Sequence, residues 1–196
     1  FEFDYQTGYQ KMNKENKLVT GLPSGFEDRW DKKLLLKKKL LKAIENNFIK
    51  FGAEALETPS FEISENIGSF LAEDDSNPMS DVFSFQDGEK RITLRYNVSS
   101  PLARFFAQNN QELPSIFKRY QIQNVFRNEK AGNGRYREFM QADFDIVGNV
   151  DPAQANAELC NLISSTLLDC GLNRDQFIIN VSNRKIVQGL INELKI

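Results

Sequence analysis

The sequence predicts an α+β fold in which an antiparallel sheet is flanked by helices. Three observations carry that expectation. Residues 116–128 and 136–147 alternate apolar and polar side chains over two long stretches joined by a short glycine-bearing loop, the pattern of a long antiparallel hairpin. Helical periodicities at 28–51, 99–109 and 151–170 are not interleaved with strands as parallel βαβ units would be. The chain of 196 residues is 40% hydrophobic and 27% charged with 16 Phe, the make-up of about one globular domain able to bury a real core.

The elements follow in chain order. Residues 1–20 are polar and weakly patterned, with Met12 inside them, and read as an N-terminal extension carrying no function. Residues 21–25 (GLPSG) are a turn segment. Asp28 is expected to cap a helix running to Phe51, with Leu34, Leu40, Leu41, Ile44 and Phe48 on its apolar face. Its lysine run at 37–39 reads as a solvated face or a contact for a nucleic-acid backbone. Gly52 ends that helix. Residues 53–61 read as a strand ending at Pro59, and 72–81 as a polar loop. Residues 82–86 and 91–94 form an expected hairpin turning at Asp87-Gly88. Asp151 with Pro152 is an N-cap followed by proline at the first helical position, and Gly171 stops that helix. Residues 177–181 read as a strand, after which Ser182 is expected to cap a last helix.

Composition removes whole classes of chemistry. The sequence contains no His, so it supplies no Ser-His-Asp or Cys-His nucleophile and no His-ligated metal. Any catalysis uses Arg, Lys, carboxylates, amides or a bound cation. The net charge of −2 excludes a strongly basic nucleic-acid coat but not a local basic site. No apolar run approaches the ~20 residues of a membrane span and no signal pattern opens the chain, so a cytoplasmic protein is expected. Cys160 and Cys170 read as buried reduced thiols.

The long hairpin concentrates the charged residues. Alternation places Arg127 and Glu129 on one face, and Arg135, Arg137, Phe139, Gln141, Asp143 and Asp145 on one face. Guanidinium forks suit phosphate oxygens, carboxylates and an amide suit an ammonium or a polar heterocycle, and Phe139 can stack on a base. Such a face can hold a nucleotide beside an amino acid. A solvated, salt-bridged sheet face has the same composition.

Residues 126–141 (FRNEKAGNGRYREFMQ) closely resemble motif 2 of the class II aminoacyl-tRNA synthetases in its histidyl-tRNA synthetase form. Residues 56–62 (LETPSFE) resemble motif 1, residues 94–104 (LRYNVSSPLAR) resemble the family's histidine-contact segment, and 181–185 (VSNRK) is also similar. The resemblance covers 21–196, with motif 1 near 56–62 and motif 2 near 126–148. It implies a class II synthetase-like antiparallel sheet and an enzyme that activates histidine with ATP and Mg²⁺ and esterifies tRNA(His), as a homodimer.

It also implies roles. Arg127 would grip the α-phosphate and the substrate carboxylate, Glu129 would lie near the adenine, Arg135 would reach the γ-phosphate, and Phe139 would stack on adenine. Gln141 and Asp145 would hold the bound histidine, with Asn97, Val98 and Ser99 around its amino group. Pro59 would sit at the dimer interface, and no protein-held metal is implied. Asn97 stands where the family has Glu or Asp, and loss of a charge-assisted bond costs roughly 1–3 kcal/mol. Asp145 stands where Glu is more frequent, and Ala131 where Pro is usual. Motif 3, the later histidine-specific segment and the anticodon-binding domain have no counterpart in these residues, so the expectation is an N-terminal part of the catalytic core, inactive alone. The rival expectation is a histidyl-tRNA synthetase-like regulatory subunit of ATP phosphoribosyltransferase, which binds histidine without chemistry. The intact 134–137 loop argues for the enzyme.

Overall fold

A computed structural model describes residues 20–67 and 82–194. The polar extension and the 72–81 loop lie outside the described residues, apart from residue 20. In chain order the elements are α1 (Asp31–Lys50), β1 (Glu54–Ala55), β2 (Phe61–Ile63), α2 (Ser64–Ile67), β3 (Ser84–Asp87), β4 (Lys90–Leu94), α3 (Ser99–Asn109), β5 (Ile116–Phe126), β6 (Glu138–Gly148), α4 (Pro152–Asp169) and α5 (Arg184–Leu194).

The long hairpin organises the rest. β5 and β6 pair antiparallel over their full length, from Ile116 opposite Gly148 to Phe126 opposite Glu138. Gly148 lies at φ +140°, and a Cβ there would stand 2.2 Å from the Ser115 carbonyl oxygen, so only glycine closes this end. The alternation sends Tyr120, Ile122 and Phe144 to one face, where α1 and α4 cover them. Phe48 of α1 meets Tyr120 and Phe144 with ring centroids at 5.7 and 5.6 Å, and Leu162 of α4 completes the core. Asn47, buried on α1, donates to Asp169 Oδ2 at 2.8 Å and joins the two helices. The cap at Asp151 is as expected: its Oδ1 accepts from Ala153 and Gln154 N–H at 2.7 and 3.2 Å.

The α+β fold with antiparallel pairing flanked by helices is as expected, but the strands fall into two sheets. One has the order β1-β5-β6, with β1 parallel to β5; the other has the order β2-β4-β3 and is antiparallel. The expected 53–61 strand is divided between them. Leu56 N–H still bonds the Tyr120 carbonyl (2.9 Å). Pro59 then has no N–H to offer a ladder, and the chain crosses to the second sheet at Phe61. Arg95 ties the sheets together: it is buried and donates to the carbonyls of Asn124 (2.6 Å), Thr58 (2.7 Å) and Pro59 (3.2 Å).

The small sheet is inverted relative to the usual pattern. Its covered face carries Glu62 and Thr93, and its outer face carries Phe61 and Phe85, 55% and 46% exposed and in edge-to-face contact at 5.6 Å. Arg104 of α3 neutralises Glu62 with Nε and Nη2 each 2.9 Å from one carboxylate oxygen.

Other boundaries differ from expectation for local reasons. The first helix begins at Asp31, not after Asp28: Trp30 is extended and Asp31 sits at φ +50°, so the helical path opens only beyond that left-handed step. The hairpin loop is Gly88-Glu89, since Asp87 pairs with Lys90. Residues 177–181 are not a strand; Ile178 and Val181 are exposed, and no described strand lies beside them. Asn183, not Ser182, caps α5 by accepting from Lys185 N–H (2.9 Å). Cys160 and Cys170 are free thiols, as expected, but half-buried, and burial raises the Cys170 pKa.

Candidate active site

The loop between β5 and β6 is closed by backbone bonds that follow from its composition. Arg127 N–H donates to the Arg137 carbonyl and Arg137 N–H to the Gly25 carbonyl, both at 2.8 Å. Gly132 and Arg135 exchange N–H···O bonds at 3.1 and 3.0 Å, which folds the glycine-bearing tip into a tight turn. Gly25 lies at φ +83°, and a Cβ there would approach Arg137 Cγ to 2.6 Å, so the 21–25 turn segment docks on the loop only as glycine. The result is a cleft of about 250 Å³ lined by Arg127, Glu129, Gly134, Arg135, Tyr136 and Phe139.

Four expected residues therefore meet in one place. The Arg127 guanidinium carbon lies 4.4 Å from the Tyr96 ring centroid and 5.0 Å from that of Phe139, a cation held between two aromatic rings. Glu129 accepts from the Tyr96 hydroxyl at 3.0 Å and forms an ion pair with Arg135. Tyr96 was not singled out by the sequence, although it lies in the 94–104 segment; its signal is an aromatic next to Arg95 and one residue before Asn97. Arg137 leaves the face assigned to it. β6 begins at Glu138, strand alternation does not extend back to 137, and the guanidinium lies 4.5 Å over the Phe83 ring instead.

The polar side of the hairpin continues away from the cleft. Register sets Val125 opposite Phe139, Gln123 opposite Gln141, Gln121 opposite Asp143 and Arg119 opposite Asp145. Arg119 and Gln121 are wholly buried, and neither was assigned a role from sequence. Arg119 Nη1 donates to Gln121 Oε1 (3.0 Å), and Gln121 Nε2 donates to Thr58 Oγ1 (2.8 Å). Arg119 Nη2 lies 2.7 Å from Asp145 Oδ2, an ion-pair contact without hydrogen-bond alignment; among the described residues neither this oxygen nor the buried Gln141 Oε1 accepts a hydrogen bond. Burial lowers the Arg119 pKa, opposed by Asp145 and Asp143. Burial raises the Asp143 carboxyl above its ordinary range, reinforced by Asp145 and opposed by Arg119.

The 97–99 segment reaches this face through the backbone of Val98. Val98 is fully buried, and its carbonyl accepts from Arg119 Nη2 at 3.2 Å. Asn97 Oδ1 accepts from Ser100 N–H at 2.9 Å and closes the first turn of α3. Ser99 is exposed at the start of that helix. Pro59 lies apart from the cleft, exposed, with its carbonyl on Arg95. Among the described residues no cluster of three carboxylates or thiols is placed to hold a metal.

The family model for histidyl-tRNA synthetase matches residues 25–196. A histidine–tRNA ligase of Pelagibacter ubique is 79% identical over 185 residues, which are 94% of this chain and 40% of that protein. One of Bartonella bacilliformis is 42% identical over 179 residues, 91% of this chain and 36% of that protein. The crystal structure of histidyl-tRNA synthetase from Nostoc sp. PCC 7120 matches with a TM-score of 0.76 at 26% identity, over 90% of this chain and 40% of that one. A structure described as an ATP phosphoribosyltransferase regulatory subunit/histidyl-tRNA synthetase from Bacillus halodurans shares the fold, with a TM-score of 0.68 at 23% identity, over 81% of this chain and 40% of that one. The chain thus spans about 40% of the length of the Pelagibacter relative. The family match takes in the turn at Gly25, the hairpin, the cleft and the polar face, and by it the chain belongs to the histidyl-tRNA synthetase family.

Proposed function

We propose that these residues are the N-terminal part of the catalytic core of a histidine–tRNA ligase, which activates histidine with ATP, as its Mg²⁺ complex, and transfers it to tRNA(His). The observation that carries this reading is Arg127, held between Tyr96 and Phe139 where the cleft joins the polar face of Gln141 and Asp145. Activation needs no protein nucleophile. The substrate carboxylate attacks the α-phosphorus, the bond to the bridging oxygen breaks, and pyrophosphate leaves. The protein's part is positioning and neutralisation of phosphate charge.

On this reading Arg127 grips the α-phosphate and the substrate carboxylate, and Phe139 stacks on adenine beside Glu129. Arg135, exposed at the loop tip, exchanges Glu129 for the γ-phosphate. Gln141 and Asp145 hold the histidine side chain, and Asn97, Val98 and Ser99 border its amino group. The regulatory reading needs a histidine pocket but no γ-phosphate contact, and Arg135 on the cleft favours the enzyme. Pro59 and the exposed Phe61–Phe85 pair support a homodimer through the outer face of the small sheet. Among the described residues no helix is long and apolar enough to cross a membrane, and the proposed place of work is the cytoplasm.

The test is ATP–pyrophosphate exchange by the full-length protein. Exchange that depends on histidine and falls at least a hundredfold in Arg127→Ala supports the assignment. Tight histidine binding with no exchange overturns it in favour of the regulator.

A further inference from the structure

The polar face buries one cation to which the resemblance assigns no role. Arg119 is wholly buried, and its Nη2 alone touches both walls of the proposed amino-acid pocket: the Val98 carbonyl at 3.2 Å and Asp145 Oδ2 at 2.7 Å. Those walls come from different sheets, one from a connection and one from a strand. Val98 follows β4 at the entry to α3, and Asp145 lies on β6. We propose that Arg119 is a positioning residue for the amino-acid site, setting the Asp145 carboxylate against the 97–99 segment. The inference rests on reading this face as the histidine pocket.

Three features support a role beyond holding the fold. A wholly buried guanidinium loses its hydration on folding, which its pairing with the part-exposed Asp145 must offset, so its use here needs a reason beyond stability. The guanidinium is also fixed from behind. Nη1 is held on Gln121 Oε1, and Gln121 in turn on Thr58 Oγ1, which anchors the guanidinium behind the carboxylate. Finally, Arg119 meets Asp145 through the shielded oxygen Oδ2, while the Asp145 side chain as a whole is still 32% exposed, so the carboxylate charge is countered from behind and its open side is left to a ligand. An acceptor placed so suits an imidazole N–H, and a site built to bond such a group discriminates strongly against side chains lacking it.

The experiment measures histidine and ATP KM separately in pyrophosphate exchange by the full-length protein, with thermal melts. Arg119→Lys is expected to raise histidine KM about tenfold and leave ATP KM within about twofold. In an Asp145→Asn background the same substitution is expected to add little, because Arg119 acts through that carboxylate. Gln121→Met loosens the guanidinium without removing its charge and is expected to raise histidine KM several-fold, which keeps the idea testable where Arg119→Lys does not fold. Equal movement of both KM values, no movement of histidine KM, or full additivity with Asp145→Asn overturns the inference. Wild-type protein without histidine-dependent exchange overturns the parent reading, and the inference with it.

Discussion

The Tyr96 hydroxyl donates to one oxygen of Glu129 while the other oxygen holds Arg135. A carboxylate at the cleft mouth is thereby shared between a half-buried phenol and an exposed, movable cation. Ion pairs with an exposed partner contribute about 0–1 kcal/mol, so the exchange of Glu129 for a phosphate proposed for Arg135 would come at small cost. Glu129→Gln is accordingly expected to leave the melting temperature within about 2 °C and raise ATP KM several-fold. Differential scanning fluorimetry beside exchange kinetics checks both halves.

Arg127 offers a fork, not only a charge. Arg127→Lys keeps the cation but loses the planar face that meets the Tyr96 and Phe139 rings and the paired N–H groups that the proposed phosphate contact needs. The expected outcome is a fall of at least about thirtyfold in kcat for pyrophosphate exchange, with unchanged stability. Near-normal kcat in the lysine variant would remove Arg127 from the chemistry.

Glu62 and Arg104 make a separate stability prediction. Arg104→Ala strands a buried carboxylate and is expected to cost about 3–5 kcal/mol, read from urea denaturation. Replacing both residues together, as Glu62→Leu with Arg104→Met, is expected to recover most of that loss. A single variant as stable as the parent would show that Glu62 finds another partner.

Asp143 sets a pH dependence. Its carboxyl is held above its ordinary value by burial first and by Asp145 next, against the pull of Arg119. A raised pKa means the native state binds the proton more readily than the unfolded chain. Its contribution therefore favours folding as pH falls from above the raised pKa toward the unfolded value, and weakens folding at neutral pH. Asp143→Asn is expected to raise the melting temperature at pH 7 and to lose that advantage near pH 4. Melting curves across that range test the sign.

The local signals were legible. Alternation marked β5 and β6, and the Asp151-Pro152 cap and the stretch beginning at Ser99 marked two helices, because each depends on neighbours along the chain. The grouping of Arg127, Glu129, Arg135 and Phe139 was legible through their common motif. Arg119 was not. Its place opposite Asp145 depends on the register of two strands joined by the whole 127–137 loop, and a loop of that length leaves register open. The division of 53–61 was hidden for a similar reason: Pro59 marks a break, but which sheet each half joins is decided by Tyr120 and Leu94, far along the chain. The reach of Arg137 to Phe83 and Gly25 is likewise a tertiary event.

The inverted small sheet also acts on how the chain finds its fold. Phe61, Glu62 and Ile63 stand opposite Leu94, Thr93 and Ile92, and a slip of β2 by one residue would turn its own side chains to the opposite faces. The apolar side would then turn inward, as in an ordinary sheet, so hydrophobic collapse alone favours the wrong alignment. The Arg104 fork on Glu62 selects against it, because the slipped alignment leaves that guanidinium without its carboxylate. Two charges thus serve as proofreading for a strand of three residues, and the outcome is an apolar surface left facing outward by the chain's own folding.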